Sequence, residues 1–123
     1  MIEALKGLLK IESVAEHGKG GYPYGPGPAA ALDYVLQLCS SLGFRTKNAD
    51  GKYGYAEIGD GEELIGILCH LDVVPAGKGW NYPPFDGNLC DDRLYGRGTL
   101  DDKGPAIANI FAMKDLLDSG KPL

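Results

Sequence analysis

The sequence predicts an α/β fold, layered helix–sheet–helix, because helical and strand patterns alternate along the chain. Apolar residues recur at helical spacing in residues 32–42 and again in residues 107–117. Between these segments, residues 64–71 (LIGILCHL) form a nearly continuous apolar run, which has the length and composition of a buried central strand. We therefore expect helices to cover a sheet whose centre is this strand.

The helices can be bounded from local signals. Residues 2–14 carry apolar side chains at helical spacing and predict a first helix. A second helix is expected to begin near Pro28 and to end before Gly43, which occupies the position of a glycine that follows a helix. A third is expected to begin at Asp102 or Lys103 and to end at Gly120.

The remaining strands are expected next to turn residues. A strand is predicted from Phe44 and another over residues 53–58, with a turn at residues 48–51 between them. A short hairpin is expected around Asp91 and Asp92. The chain has 123 residues, which is enough for one domain with a modest core, so we expect residues 1–123 to form a single domain.

Charge and cysteine content exclude several functional classes. The net charge is −5 and the 12 Lys and Arg residues are scattered, which argues against nucleic acid or an anionic membrane as a partner. The three cysteines form no CxxC pair, so neither a thiolate zinc site nor a redox motif is offered. The first residues lack the apolar core of a signal peptide. We therefore expect a reduced, cytoplasmic protein.

His70 and Asp72 end the predicted central strand. Residues two apart in a strand point to the same face, and open α/β sheets place ligands at the carboxyl ends of their strands. A neutral imidazole there can bind a metal ion while the carboxylate orients the ring. The alternative is a histidine that only forms hydrogen bonds at a strand end.

Asp101 and Asp102 lie between a glycine-rich loop and the third helix. One aspartate can cap the helix, but two acids exceed what a cap needs, and carboxylate oxygens bind zinc and hard divalent cations. Phosphate binding is the rival interpretation for glycines before a helix, but two acids would repel a phosphate and GxxxxGK[ST] is absent. A plain capped loop is the third alternative.

Taken together and in order, these segments resemble the zinc aminoacylase/carboxypeptidase superfamily, and within it the bacterial dipeptidase V (Xaa-His dipeptidase) branch. The matching segments are 66–77 (GILCHLDVVPAG), 79–85 (GWNYPPF), 94–105 (LYGRGTLDDKGP), 25–33 (GPGPAAALD) and 53–59 (YGYAEIG). The resemblance extends over nearly the whole chain. It implies the N-terminal part of a metallopeptidase catalytic domain.

The resemblance also implies a role for three residues. His70 matches a ligand of one zinc ion, and Asp101 matches the carboxylate that bridges two zinc ions. Asp72 matches the acid that supports the His ligand and the catalytic carboxylate, and the peptide bond between Asp101 and Asp102 is typically cis in this family. The implied cofactor is zinc, two ions in the complete enzyme, with cobalt or manganese as alternatives. The implied substrate is a dipeptide or a small N-acyl amino acid.

Two departures from the family pattern shape the expectation. Cys69 stands where the family usually has glycine. The general-base glutamate, the remaining metal ligands and the lid or dimerisation domain have no counterpart in the sequence, whose only acids after Asp102 are Asp115 and Asp118. We therefore expect an N-terminal fragment that binds metal weakly and hydrolyses no peptide alone.

Two other interpretations stay open. The chain could be a non-catalytic module that self-associates as a homo-oligomer, because a truncated sheet leaves an unpaired edge and an exposed apolar face. Alternatively, a separately encoded partner could complete the site.

Overall fold

The computed structural model describes residues 1–121 and shows the expected α/β fold. Pro122 and Leu123, the last two residues of the expected domain, lie outside the described residues. The helices are α1 (Ile2–Leu9), α2 (Pro26–Ser41) and α3 (Lys103–Asp118), with a short 3₁₀ turn at Lys19–Gly21. The second and third helices begin and end within two residues of the predicted positions.

The core lies where α1 packs against α2 and α3. Leu8 and Leu9 of α1 and Ile107 of α3 are fully buried there. The other buried apolar members of this cluster are Leu5, Ala31, Cys39, Phe44 and Ile110. Burial of one large apolar side chain contributes about 1.5–3 kcal/mol, so α1, although short, contributes strongly to the fold.

The strands form two separate antiparallel hairpins, both where the sequence predicts them. Strand β1 (Arg45–Ala49) pairs with β2 (Tyr53–Glu57), and β3 (Asn88–Cys90) pairs with β4 (Arg93–Tyr95). Asp91 and Asp92 connect β3 to β4, both with positive φ (50° and 59°). Aspartate tolerates this left-handed conformation, which matches the right-handed twist of paired strands. Helix α2 packs on the β1–β2 hairpin.

The prediction of a buried central strand at residues 64–71 is wrong for this chain. The segment is extended, but it belongs to no strand, and Leu64, Ile65 and Leu68 are 87%, 91% and 98% exposed. A buried strand needs neighbouring strands on its edges and layers on both faces. Among the described residues, the nearest pairing is a single parallel bridge between Val14 and Val73.

The first helix is shorter than predicted, because it ends at Leu9 rather than at residue 14. Residues 10–14 leave the helix, and Ser13 and Val14 run beside the segment that follows His70. Helical spacing of the apolar residues continues past Leu9, but Ser13 and Val14 gain backbone pairing with Val73 by leaving the helix. This early end places the last carbonyl groups of α1 close to the start of α3.

Within residues 1–121, none of the helices has both the length and the apolar character needed to cross a membrane.

Because α1 is buried and residues 64–71 are exposed, a leucine substitution in α1 should lower the free energy of unfolding more than one in residues 64–71. Leu9→Ala should lower the free energy of unfolding by about 2–5 kcal/mol, because it leaves a cavity in the core. Leu68→Ala, the matched control, should change it by less than about 0.5 kcal/mol, because the side chain contacts water. Urea unfolding followed by circular dichroism measures both. Equal losses would contradict the exposed placement of residues 64–71.

Candidate metal centre

The structure brings together His70, Asp72 and Asp101, the three residues to which the resemblance gives roles. The imidazole Nε2 of His70 lies 2.8 Å from Oδ1 of Asp101. On the other side of the ring, Nδ1 lies 3.0 Å from the backbone carbonyl oxygen of Asp72 and 3.4 Å from its carboxylate Oδ1. The His70 and Asp101 side chains are 50% and 86% exposed, so a ligand can reach them from solvent.

Both ring nitrogens of His70 face oxygen atoms that accept hydrogen bonds, and only the protonated imidazole can donate to both sides. Partial burial by itself lowers the pKa of His70. The hydrogen bonds to Asp101 and to the Asp72 carbonyl, with the charges of both carboxylates, outweigh it and raise the pKa above its ordinary value. In the protonated ring, Nε2 therefore donates a hydrogen bond to Asp101.

Asp102 has a different role from the helix cap that the sequence suggests. It occupies the N-cap position of α3, but its side chain makes no capping hydrogen bond. Instead, Oδ2 of Asp102 accepts a hydrogen bond from the backbone N–H of His70 at 3.1 Å. The peptide bond between Asp101 and Asp102 is cis, as the resemblance implies. The two aspartates therefore contact different parts of His70.

Ser13 holds the backbone on both sides of Asp72 by hydrogen bonds. Its hydroxyl donates to the carbonyl oxygen of Leu71 at 2.6 Å, and its own carbonyl accepts the N–H of Val73 at 3.0 Å. Ser13 is fully buried, so these bonds are shielded from competing water. Leu71 and Val73, which flank Asp72, are thereby attached to the segment that follows α1.

Lys103 fixes the start of α3 to the same segment. Its side chain is fully buried, and Nζ donates to the carbonyl oxygens of Leu8 (3.1 Å) and Ile11 (2.7 Å). Burial lowers the pKa of this amine to about 8. Among the described residues, no carboxylate forms an ion pair with it, so carbonyl groups alone stabilise the ammonium.

Two glycines allow the loop before Asp101 to close tightly around this lysine. Gly98 has φ +95°, and a Cβ there would lie 3.0 Å from both the Lys103 stem and Val73. A Cβ on Gly104 would lie 1.9 Å from the carbonyl oxygen of Thr99, so only glycine fits. The N–H of Gly104 donates to the Gly98 carbonyl and closes the loop. These two glycines of the stretch therefore pack closely against Lys103, Val73 and Thr99.

Arg97 and Trp80 lie beside the candidate ligands and contact each other. The Arg97 guanidinium lies over the Trp80 ring, 5.3 Å from the centroid, and donates to the Ala76 carbonyl at 3.2 Å. The indole N–H of Trp80 donates to the same carbonyl at 2.9 Å. Together with His70 and Asp101, these residues line an open cleft of about 460 Å³. The loop that follows Asp72 is thus ordered beside the candidate ligands.

The donor atoms fit zinc in kind but not in number. Imidazole nitrogen and carboxylate oxygen are zinc ligands, and a catalytic zinc ion usually has three protein ligands. Within residues 1–121, no group of three or more His, Cys, Asp and Glu side chains is arranged to hold a metal ion. Burial, the largest influence on Cys69, raises the pKa of its thiol. The described residues therefore offer an incomplete metal site.

Sequence reasoning missed the buried residues that support this site. Helix-start signals account for Lys103 only as the first residue of α3, although a cation in the first turn of a helix opposes the helix dipole and so signals another role. Ser13 carried no such signal, because its contacts depend on where α1 ends.

The paired contacts of His70 predict its titration in the metal-free chain. Proton NMR should give a pKa for His70 above about 6.5, with His17→Gln used to assign the signal. Asp101→Asn should lower this pKa, because the ring loses a charged acceptor, whereas Asp118→Asn on α3 should not. Since the His70 pKa is raised in the folded state, protonated His70 stabilises the fold fully below its unfolded-state pKa. This stabilisation is lost as pH rises through the folded-state pKa. An unchanged His70 pKa in Asp101→Asn would contradict the contact.

Comparisons with known proteins agree with this geometry. Residues 66–123 match the family model described as Peptidase family M20/M25/M40. The chain is 51% identical over 118 residues to a protein of Staphylococcus saprophyticus named "Putative dipeptidase", covering 94% of this chain and 25% of the relative. A protein of Staphylococcus epidermidis with the same name is 52% identical over 118 residues, with the same two coverages. The chain spans about a quarter of the length of these curated relatives.

Solved structures extend the match to three dimensions. The M20 family metallo-carboxypeptidase Sso-CP2 from Sulfolobus solfataricus superposes with a TM-score of 0.81 at 30% identity, over 96% of this chain and 27% of that one. Human carnosine dipeptidase 1 superposes with a TM-score of 0.67 at 26% identity, over 94% of this chain and 28% of that one. The resemblance expected from the sequence is confirmed: residues 66–123 match the model of peptidase family M20/M25/M40, and the chain corresponds to about a quarter of the length of its relatives.

Proposed function

We propose that this chain supplies part of the metal centre of a dinuclear zinc dipeptidase, which hydrolyses the peptide bond of a dipeptide or a small N-acyl amino acid. The contact of 2.8 Å between His70 Nε2 and Asp101 Oδ1 carries this proposal. In the protonated ring, a proton lies between the two atoms, and a divalent cation would take the place of that proton. The match to the family model and the names of the relatives support the same reaction class.

Each of the three predicted residues has a proposed role. His70 and Asp101 would be the residues of this chain that hold zinc, and cobalt or manganese are alternatives that accept the same donors. Bound zinc would lower the pKa of a water molecule and polarise the scissile carbonyl. Asp72 accepts from Nδ1 of His70 through its backbone carbonyl and lies near it through its carboxylate, so it keeps Nε2 directed at the metal position.

The proposed centre needs residues outside this chain. Two ligands do not complete a zinc site, and the curated relatives are about four times as long. We propose that residues 1–123 form one partial catalytic domain and that the general base and other ligands belong to the remainder of the enzyme. All three cysteines are free, which suits the reduced cytoplasm.

A chimeric enzyme tests this proposal. The matched residues of the Staphylococcus saprophyticus relative would be replaced by those of this chain, and hydrolysis of Xaa-His and other dipeptides would be compared with the parent protein. The chimera should hydrolyse the same dipeptides as the parent. Asp72→Asn should lower kcat/KM by about 10–100-fold, as expected for a group that orients a metal ligand. His70→Ala and Asp101→Ala should lower kcat/KM by at least as much.

His17→Ala is the matched control, since His17 lies in a loop against Tyr24 and should leave kcat/KM unchanged. Three results would contradict the proposal. One is a chimera that folds like the parent but hydrolyses nothing, and another is full activity in His70→Ala. The third is metal-dependent hydrolysis by the 123-residue chain alone.

A second candidate, a self-associating module without catalysis, is favoured by the exposed apolar side chains at residues 64–68. Extended, unpaired and apolar backbone pairs readily with another copy. Light scattering should then give a mass above 13.1 kDa that rises with concentration, and Leu68→Lys should reduce it. Leu89→Lys, at an exposed leucine outside this segment, is the control. A clean monomer at high concentration would exclude the candidate.

A further inference from the structure

Lys103 is the most unusual buried group in the described chain. Its side chain has no exposure to solvent, yet its ammonium has carbonyl partners only. Burial of a charge costs several kcal/mol unless polar groups surround it. A methionine of similar length would fill the same volume without that cost, so packing alone does not explain a lysine.

The partners of Lys103 explain how the charge is tolerated. The last four carbonyl groups of a helix lack partners within the helix and carry its negative dipole end. Leu8 lies in this last turn of α1, and Ile11 lies just beyond it. The ammonium adds a donor to the Leu8 carbonyl, which also accepts the Ile11 N–H, and it binds the Ile11 carbonyl at the end of the same turn.

The position of Lys103 makes this contact relevant to the site. Lys103 follows Asp102 directly and opens α3, so its attachment to α1 fixes the turn that carries Asp101. The same stretch of backbone, residues 8–13, also holds the segment around His70, because Ser13 binds Leu71 and Val73. Both halves of the site are thus attached to one support.

We propose that Lys103 is a positioning residue, which sets the separation of His70 and Asp101 by holding the start of α3 on the last carbonyl groups of α1. This inference rests on the proposed metal site. It assigns Lys103 no contact with metal or substrate, only control of where the Asp101 carboxylate lies.

The test compares Lys103→Met with the wild-type chain by zinc titration, followed through the ¹⁵N signals of the His70 ring. Removal of a nearby positive charge should strengthen cation binding by Coulomb's law. Loss of positioning should weaken it, by at least about tenfold. The sign of the change therefore separates the two effects. Without metal, the same signals should show that Nε2 has lost its contact with Asp101.

Lys114→Met is the matched control, because Lys114 lies on the same helix and pairs with Asp118 away from the site. It should bind zinc like the wild type. Lys103→Gln, which keeps a hydrogen-bond donor but no charge, should show a smaller loss than Lys103→Met. Both Lys103 variants are compared at a temperature where circular dichroism shows them folded.

The results that would overturn the inference are distinct from those that would overturn the metal site. Unchanged or tighter zinc binding in folded Lys103→Met, with an unchanged Nε2 signal, would show that Lys103 does not position the site. Failure of both Lys103 variants to fold where Lys114→Met folds would make Lys103 a requirement of the whole fold. Absence of zinc binding by the wild type would instead refute the metal site, and the metal-free Nε2 signal would still test Lys103.

Discussion

The contact between the buried ammonium of Lys103 and the carbonyl oxygens at the end of α1 determines how the rest of the chain is arranged. Lys103 reaches these carbonyls where α1 ends at Leu9 and the chain leaves the helix. The same early end brings Ser13 to the backbone beyond His70. One short helix therefore places two segments, about thirty residues apart in sequence, against each other.

The chemistry of the site follows from this arrangement. An imidazole whose two nitrogens both face acceptors has a raised pKa and holds its second proton more tightly than a free imidazole does. It is well suited to bind a divalent cation beside a carboxylate, since that cation replaces the proton at Nε2. Asp102 adds the remaining constraint by binding the His70 backbone, so that its neighbour Asp101 remains free to face the ring. Asp102 therefore positions the His70 backbone, and Asp101 is the acid available as a ligand.

Local signals in the sequence predict much of this structure, and long-range contacts account for most of what they miss. Both hairpins follow from their turn residues, and the proximity of His70, Asp72 and Asp101 follows from family motifs. Residues 64–71 differ from the prediction because an apolar run indicates that a strand can be buried, not that neighbours are present to bury it. Lys103 was missed because its partners lie more than ninety residues away in sequence.

The central claim is that His70 and Asp101 face one metal position. Anomalous X-ray diffraction at the zinc edge, on crystals of this chain grown with zinc, tests it most directly. We expect an anomalous peak within coordination distance of Nε2 of His70 and of an Asp101 carboxylate oxygen. Zinc bound only elsewhere, for example at the Glu62–Glu63 or Asp91–Asp92 pairs, with the hydrogen bond between His70 and Asp101 intact, would contradict the claim.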